Sequence, residues 1–348
     1  MAKKKELDPS APFNVKNLIS KMASEFGDEF VADPDEDKSI QGLPTGMLIL
    51  DKEIGTEGEG GLPIGKVVEI FGDYATGKTL LGMMAIAEAQ RRGGIGILLD
   101  VERAYNPIRC AELGVDNESL VVLYPESQEM AYQQIIAIME EIRGSGFDKE
   151  IVMVWDSLAA SASNQELDKE IGENTVAANA RVNSSAMKKV ANAVHKGKAI
   201  LIIINQIRTN VGVMFGPDAV TAGGKAVRFY SSLRMHAKID KKIKSEDNKD
   251  DIIGMSGYFE IIKNRFSQPF VKCPFVMYFD ARGIDKLAGV FDYLLRHKKL
   301  NLAKTAEGKD RKGYYILDGY TDTFTENTFN AFLEEHPDVI EKLRKNEL

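Results

Sequence analysis

The sequence predicts an α/β protein with a mostly parallel, twisted sheet, and two features of the chain support this fold class. First, short apolar runs alternate with helix-like polar stretches between residues 67 and 204, as covered parallel strands and crossover helices do. These runs are VVEIF, IGILLD, LVVLY, IVMVWD and AILIII. Second, FYSSLRMHAKI, GYFEIIKN and PFVMYFD then follow one another without a helix-length segment between them. We expect these three runs to extend the sheet as antiparallel strands.

Segments of different character flank this core. Residues 13–30 carry apolar residues at helical spacing and precede the acidic run ADPDEDK, which predicts a small N-terminal helix and a linker. Beyond Gly283, GVFDYLLRHKKL, KGYYILDGYT and ENTFNAFLEEHPDVIEKLRK predict a small α+β domain. We therefore expect an N-terminal helix and arm at 1–42, a core with functional loops at 43–283, and an α+β C-terminal domain at 284–348.

Composition excludes some classes of protein. The 348 residues are 44% hydrophobic and 28% charged, which is typical of a globular chain. Cys110 and Cys273 show neither CxxC nor Cys/His spacing, so we expect neither a disulfide framework nor a zinc site. The chain has no apolar signal segment and no run of about 18 apolar residues, so we expect a cytoplasmic protein without membrane contact. A net charge of -7 means that nucleic acid would have to bind through particular loops.

The strongest motif is GDYATGKT at residues 72–79, which lies between a predicted strand and a predicted helix. Gly72 and Gly77 allow consecutive backbone N–H groups to point at phosphates from the positive end of the helix dipole. Lys78 adds a full charge at the β- and γ-phosphates, and Thr79 supplies a hydroxyl group to Mg²⁺. This stretch therefore predicts a nucleotide-phosphate site.

Carboxylates end two of the predicted parallel strands. Asp156 ends IVMVWD at the sheet edge where ligands bind, which predicts a magnesium-associated residue. Asp100 and Glu102 follow IGILL, and a carboxylate beside a γ-phosphate can deprotonate water. The pair is equally compatible with a solvated strand end. Of the two residues, we take Glu102 as the candidate base.

The stretch NQIRTNVGVMFGPDAVTAGG at 205–224 follows the apolar run AILIII. Its Gly and Pro content predicts that the strand ends at residue 204 and that a loop begins. The loop carries apolar side chains such as Val211 and Phe215, which a soluble loop has no reason to expose. Long connections without regular structure are usually functional or disordered, so we expect this loop to bind a partner. The alternative is that Met214 and Phe215 fold back onto the core.

Taken together, the motifs identify the chain as similar to one family. GLPTGMLILD, GGLPIGKVVEIFG, GKT, DVERA followed by NPI and LGVD, VWDSLAA, NQIR, GVMFG, GGKAVRFYSS and IIKNRFSQPF occur in this order. Their order resembles that of bacterial-type RecA recombinases, including phage-encoded ones, over about residues 40–284. The resemblance implies a RecA-type P-loop ATPase core, and it assigns polymerisation to the N-terminal arm.

The resemblance also implies an ATP site that uses Mg²⁺. Asp156 would be the Walker B carboxylate that acts with Thr79 on the metal, Glu102 would activate water, and Gln206 would sense the γ-phosphate. Lys263 and Arg265 would reach the ATP site of the neighbouring subunit, in the manner of an arginine finger. Arg109 stands where an aromatic residue usually stacks on adenine. The ATP-binding residues implied are Gly72, Asp73, Tyr74, Ala75, Thr76, Gly77, Lys78, Thr79, Leu80 and Arg109.

Two loops, 170–189 and 205–224, would hold single-stranded DNA. Basic residues and glycines would meet phosphates, and apolar residues would meet unstacked bases. The DNA-binding residues implied are Val176, Arg181, Lys188, Arg208, Val211, Val213, Phe215, Gly223 and Gly224. The family implies a helical filament of identical subunits on single-stranded DNA, which pairs with homologous double-stranded DNA in recombination and repair.

Some features leave alternatives open. Asp73, Tyr74 and Ala75 stand where the family usually has Pro, Glu and Ser, so nucleotide preference stays open. The chain ends in EKLRKNEL, and we do not expect autoinhibition by an acidic tail. A ring helicase of the same ATPase superfamily is one alternative function. A filament that protects DNA, or loads another recombinase without exchanging strands, is the other.

Overall fold

The computed structural model describes residues 14–26, 40–170, 178–209, 219–280 and 282–348. The chain divides into two compact units, Met1–Ser39 and Ile40–Leu348. In the first unit, helix α1 spans Val15–Phe26 and lies within the helix predicted at 13–30. The domain boundaries expected after residues 42 and 283 stay predictions.

The second unit combines helices and strands in alternation. Its helices are α2 (Leu48–Ile54), α3 (Lys78–Arg91), α4 (Pro107–Glu112), α5 (Gln128–Gly144), α6 (Asn164–Leu167), α7 (Ala178–Lys196), α8 (Gly224–Tyr230), α9 (Val290–Arg296), α10 (Phe329–Glu335) and α11 (Asp338–Arg344). Its strands are β1 (Gly42–Leu43), β2 (Leu62–Pro63), β3 (Lys66–Gly72), β4 (Ile95–Asp100), β5 (Leu120–Leu123), β6 (Ile151–Asp156), β7 (Ala199–Thr209), β8 (Ala219–Thr221), β9 (Leu233–Lys244), β10 (Ile252–Asn264), β11 (Val271–Tyr278), β12 (Leu300–Lys304) and β13 (Asp310–Leu317). Within the described ranges, no helix has both the length and the apolar character that crossing a bilayer requires.

The large sheet has the strand order β11-β10-β9-β3-β7-β6-β4-β5, with β8 paired to β7. The six strands β9, β3, β7, β6, β4 and β5 run parallel to one another. Strands β10 and β11 are antiparallel, which confirms the expectation for the second and third runs. The expectation for the first run is wrong, because β9 pairs parallel with β3; helix α8 precedes β9 and provides the crossover that a parallel strand needs. The predicted run FYSSLRMHAKI begins too early, because Phe229 and Tyr230 end helix α8 and the strand starts at Leu233.

Strand β7 corrects a second expectation. The strand was expected to end at residue 204, yet β7 continues to Thr209. The reason is that β8 pairs antiparallel with Ile207–Thr209 and provides backbone partners that continue the strand. Two strand arms therefore flank residues 210–218, which lie outside the described residues.

The central strands are buried on both faces, which explains their continuous apolar runs. In β6, Val152 and Val154 pack in the cluster that contains α3. Ile151, Met153 and Trp155 pack in the opposite cluster with α5 and α7. The sheet is thus a middle layer between helices, and the C-terminal ends of its parallel strands meet at one edge.

A third core lies in the C-terminal region. Leu294, Leu317, Phe332 and similar residues of α9, β13 and α10 pack together, and Leu48 and Ile49 of α2 join them. Helix α2 is therefore shared between this core and the rest of the second unit.

Candidate functional site

The phosphate loop joins β3 to α3, as predicted for GDYATGKT. Gly77 has φ of 85° and caps the N-terminus of α3 in the left-handed conformation. At Gly72 a Cβ atom would lie 2.4 Å from the Ala237 carbonyl oxygen, so β9 leaves no room for a side chain. Ala75 also has positive φ, 53°, and Tyr74 is 84% exposed. Of the residues that depart from the family pattern, Ala75 therefore has an unusual backbone conformation and Tyr74 faces solvent.

Lys78 is buried at the start of α3. Its Nζ atom donates to the Asp73 carbonyl oxygen and, at 3.3 Å, to Thr76 Oγ1. Burial lowers the pKa of Lys78, while Asp156, Asp73 and Glu102 oppose that shift. The ammonium group thus folds onto the loop whose backbone would surround a phosphate.

Thr79 and Asp156 meet across the sheet edge. Thr79 Oγ1 donates to Asp156 Oδ2 at 2.6 Å. Burial raises the pKa of Asp156 to about 6, against the lowering effect of the Thr79 hydrogen bond, and the nearby carboxylates of Glu102 and Asp100 raise it further. A hydroxyl oxygen and a carboxylate in a site that disfavours negative charge suit a hard divalent cation.

The geometry separates Asp100 from Glu102. Asp100 is 3% exposed, and its carboxylate accepts the backbone N–H groups of Ala104 and Tyr105 at 3.1 and 2.9 Å. Its hydrogen bonds therefore hold the turn after β4. Glu102 is exposed, and its Oε1 atom accepts from Ser157 Oγ at 2.6 Å. Of these two residues, Glu102 is the one that is exposed to solvent.

Gln206 lies on β7, next to the strand that leads into the phosphate loop. Its Nε2 atom is 3.5 Å from Glu102 Oε1. The preceding residue, Asn205, is fully buried and donates to Glu69 Oε1 and to the Ala222 carbonyl oxygen, each at 2.9 Å. Asn205 therefore fixes the position from which Gln206 reaches Glu102.

Sequence reasoning missed two residues of this site, Ser157 and Asn205. Both lie inside motifs that were recognised, VWDSLAA and NQIR, but no spacing rule assigns them a partner. Their contacts join strands that are distant in the chain, so the partners follow only from the strand order.

A cavity of about 260 Å³ opens between α3 and α4, beside Thr79 and Asp156. Leu80, Met83, Cys110 and Met277 provide much of its apolar wall, and Arg109 is also among the residues that line it. Arg109 Nη1 pairs with Glu112 Oε2 at 2.7 Å. The guanidinium group is thus held by α4 next to a space with an apolar lining.

The two predicted trans residues lie at the end of β10. Lys263 Nζ donates to the carbonyl oxygens of Arg228 and Phe229 at 3.0 and 2.9 Å. Burial lowers the pKa of Lys263, and the neighbouring charge of Arg265 lowers it further. Arg265 itself is exposed.

The predicted DNA-binding residues are partly within the described residues. Arg181 and Lys188 are exposed on α7. Gly223 caps the N-terminus of α8 and Gly224 is its first residue, with φ of 86° and 77°. Arg208 belongs to β7, but its side chain is outside the description. Val176, Val211, Val213 and Phe215 lie outside the described residues.

Comparison with known proteins decides the family. A family model of the RecA N-terminal domain matches residues 14–285. The chain belongs to the RecA family. It is 37% identical to Protein RecA of Borreliella afzelii over 261 residues, which are 75% of this chain and 68% of the relative. It is 35% identical to Protein RecA of Thermotoga maritima over 327 residues, 92% of this chain and 84% of the relative.

A third relative agrees with these two. Protein RecA of Teredinibacter turnerae is 36% identical over 310 residues, 88% of this chain and 84% of the relative. Membership of the RecA family confirms the predicted fold class and makes the chain a RecA-type recombinase and DNA-dependent ATPase. Its activity is therefore nucleotide-dependent.

Proposed function

We propose that this chain is an ATP-dependent recombinase that forms a helical filament on single-stranded DNA and exchanges strands with homologous double-stranded DNA, in recombination and repair. One observation carries the proposal. Glu102, Gln206 and the Thr79–Asp156 pair converge at one sheet edge, and β7 leads from this edge into the segment where DNA is expected. The same strand thus belongs to the nucleotide site and to the DNA loop.

In the nucleotide site, residues 72–80 would surround the phosphates of ATP. The backbone N–H groups at the start of α3 and the Lys78 ammonium group supply positive charge to them. The cavity beside Arg109 would receive the base, and the guanidinium plane offers it a cation-π contact.

Thr79 and Asp156 would hold Mg²⁺ together with phosphate oxygens of the nucleotide. The fit rests on the hydroxyl and carboxylate oxygens 2.6 Å apart and on the raised pKa of Asp156. Among the described residues, no group of three or more His, Cys, Asp or Glu side chains could hold a metal alone, so the nucleotide completes the ligand set in this proposal. When bound, Mg²⁺ neutralises charge on the phosphate oxygens.

For hydrolysis, Glu102 would accept a proton from the water that attacks the γ-phosphorus atom. The bond from that phosphorus to the bridging oxygen then breaks, and ADP and phosphate are released. Ser157 keeps the Glu102 carboxylate oriented, and Gln206 would respond to the γ-phosphate through its position beside Glu102.

The remaining site residues would act between subunits and on DNA. Lys263 and Arg265 would enter the ATP site of the neighbouring subunit and neutralise charge there, so that hydrolysis needs a filament. Arg181, Lys188 and Arg208 would contact DNA phosphates, while Gly223 and Gly224 allow the backbone to approach the strand. Val176, Val211, Val213 and Phe215 would contact bases.

The deciding experiment mixes circular single-stranded DNA with homologous linear double-stranded DNA, ATP and Mg²⁺. We expect joint molecules that depend on ATP and on homology. If filaments form but no joint molecules appear, strand exchange is refuted. Closed hexamers that unwind forks would favour the helicase, and filaments without DNA-stimulated ATP hydrolysis would favour the protective or loading role.

A further inference from the structure

A series of polar contacts connects Glu102 with buried residues of the core. Its first step is the hydrogen bond from Ser157 Oγ to Glu102 Oε1, 2.6 Å. Ser161 Oγ donates to the Ser157 carbonyl oxygen at 3.0 Å. Trp155 Nε1 donates to Ser161 Oγ, also at 3.0 Å. These contacts connect the exposed Glu102 carboxylate with the fully buried indole ring of Trp155.

Further contacts lead from Trp155 to Gly223, where DNA binding is predicted. The ring of Tyr132 meets Trp155 edge to face, with centroids 4.9 Å apart. Tyr132 donates its hydroxyl hydrogen to Asn183 Oδ1 at 2.6 Å. Asn183 Nδ2 donates to the Gly223 carbonyl oxygen at 3.0 Å. Strand β6 and helices α5 and α7 are therefore linked to the turn before α8.

Asn183 suits this place because its amide must both accept and donate. It is 0% exposed and Tyr132 is 3% exposed, so water cannot replace either partner. The turn also packs directly on these groups. A Cβ atom at Gly223 would lie 2.8 Å from Asn183 Nδ2 and 2.8 Å from Leu158 Cδ2.

Leu158 gives the turn a second, shorter connection to the site, because it follows Ser157 directly in the chain. On the other side, a Cβ atom at Gly224 would lie 3.0 Å from Ala180 Cβ on α7. The turn at Gly223 and Gly224, helix α7 and the segment after Asp156 therefore form one closely packed group, in which a shift of one element moves the others.

We propose that Tyr132 and Asn183 are positioning residues that couple DNA binding at α7 and the Gly223–Gly224 turn to the orientation of Glu102. The coupling rests on the proposed function, because it takes DNA contact at Arg181, Gly223 and Gly224 as given. DNA that holds α7 and the turn together favours one arrangement of the Asn183 amide, and the Tyr132–Trp155–Ser161 contacts carry that arrangement to Ser157. The result is a DNA-dependent rate of hydrolysis.

The test removes one hydrogen bond and keeps the ring. In Tyr132→Phe, the contact with Trp155 stays and the donor to Asn183 is lost. The matched control is Tyr320→Phe, whose hydroxyl group bonds Asp338 and Lys342 in the C-terminal region. ATP hydrolysis of each full-length protein is measured with and without saturating single-stranded DNA, over a range of ATP concentrations.

In Tyr132→Phe, we expect the stimulation of ATP hydrolysis by DNA to fall at least about fivefold. The DNA-free rate and its KM for ATP should be unchanged. Tyr320→Phe should match the wild type. Equal stimulation in Tyr132→Phe and wild type would overturn the coupling. A wild type without DNA-stimulated hydrolysis would refute the proposed function, and the coupling with it.

Trp155 supplies an independent measurement, because the chain has one Trp residue. Its emission during thermal unfolding checks that each variant is folded. With an ATP analogue that is not hydrolysed, adding single-stranded DNA should change Trp155 emission in the wild type and in Tyr320→Phe. In folded Tyr132→Phe the change should fall by at least about half, and a change of full size contradicts the coupling.

Discussion

The phosphate site and the C-terminal region use polar and charged contacts in different ways. In the phosphate site, contacts join residues far apart in the chain. Thr79 and Asp156 are 77 positions apart, Gln206 and Glu102 are 104 apart, and the buried Arg234–Glu69 pair spans 165. In the C-terminal region, three of the ion pairs join residues that are close in sequence and exposed.

Lys342 and Asp338 illustrate the second pattern, since they are four positions apart and 42% and 50% exposed. Water solvates such charges whether or not they pair, so each pair adds little to stability. In the phosphate site, by contrast, strand order creates the contacts, and those of the fully buried Glu69 are costly to lose. The difference predicts that the same kind of substitution has very different effects in the two regions.

The largest expected effect comes from Glu102→Gln, which removes the candidate base and keeps the shape. ATP hydrolysis with saturating DNA should fall by about 10²–10⁴-fold, while nucleotide-dependent DNA filaments still form. Steady-state hydrolysis and electron microscopy measure the two properties. The matched control, Glu118→Gln, alters an exposed carboxylate before β5 and should hydrolyse ATP like the wild type. If Glu102→Gln does so too, Glu102 is not the base.

Lys78→Ala should come next, because it removes the ammonium group that lies on the phosphate loop. We expect ATP affinity to fall by about a hundredfold, as loss of a charge-assisted contact predicts, and nucleotide-dependent filaments to disappear. Titration with a fluorescent ATP analogue measures the affinity. Lys149→Ala changes an exposed lysine and serves as the control. An unchanged affinity in Lys78→Ala would refute the phosphate site.

Glu69→Gln tests the buried ion pair below the site. Glu69 is 0% exposed. Its carboxylate accepts hydrogen bonds from Arg234 Nε at 2.5 Å and from Asn205 Nδ2 at 2.9 Å. Losing its charge should lower the free energy of unfolding by about 3 kcal/mol, because Arg234 then lacks its buried partner. Urea unfolding measures this. Glu260→Gln, in the more exposed pair with Lys238, should cost far less, and equal costs would contradict the comparison.

The distinction between contacts that are local in the chain and contacts between distant residues also explains which features could be predicted from the sequence. The strands β3, β4 and β6 are buried on both faces and have continuous apolar runs, so their positions could be predicted. The phosphate motif predicted Lys78, Thr79 and the strand–loop–helix context, because that chemistry depends on neighbours in the chain.

Contacts between distant strands could not be predicted in this way. Glu102 was preferred to Asp100 as the candidate base, but the two backbone partners of Asp100 follow only from the geometry of the turn. Strand β7 was predicted to end early, because its pairing with β8 depends on residues ten or more positions away. Asn205 and Ser157 were missed for the same physical reason.

Asp51 offers a pH test of burial in α2, the helix shared with the C-terminal core. Burial raises the pKa of Asp51 to about 7, although Thr45 and Gly46 donate hydrogen bonds to it. The folded state therefore keeps a proton that the unfolded chain loses at lower pH, near the ordinary Asp pKa of 3.8. The stabilisation from this proton is fully present below that value and is lost as pH rises through about 7.

The wild type should therefore lose more thermal stability than Asp51→Asn when pH is raised from about 5.5 to about 8, the range that brackets the raised pKa. Thermal unfolding in the absence of nucleotide measures both slopes. The slope is the relevant quantity, because the amide also weakens the hydrogen bonds from Thr45 and Gly46 at every pH. Parallel slopes would mean that Asp51 is ionised throughout this range.

Lys342→Ala should have the smallest effect and completes the comparison. Lys342 bonds Asp338 and the Tyr320 hydroxyl at 2.8 and 2.9 Å, and these hydrogen bonds raise the pKa of Lys342. Because the pair is exposed, water replaces most of the lost interaction, and the melting temperature should change by about 2 °C or less. ATP hydrolysis and DNA binding should be unchanged. A loss of stability comparable to that of Glu69→Gln would mean that local exposed pairs also hold the fold, and the distinction between the two regions would then fail.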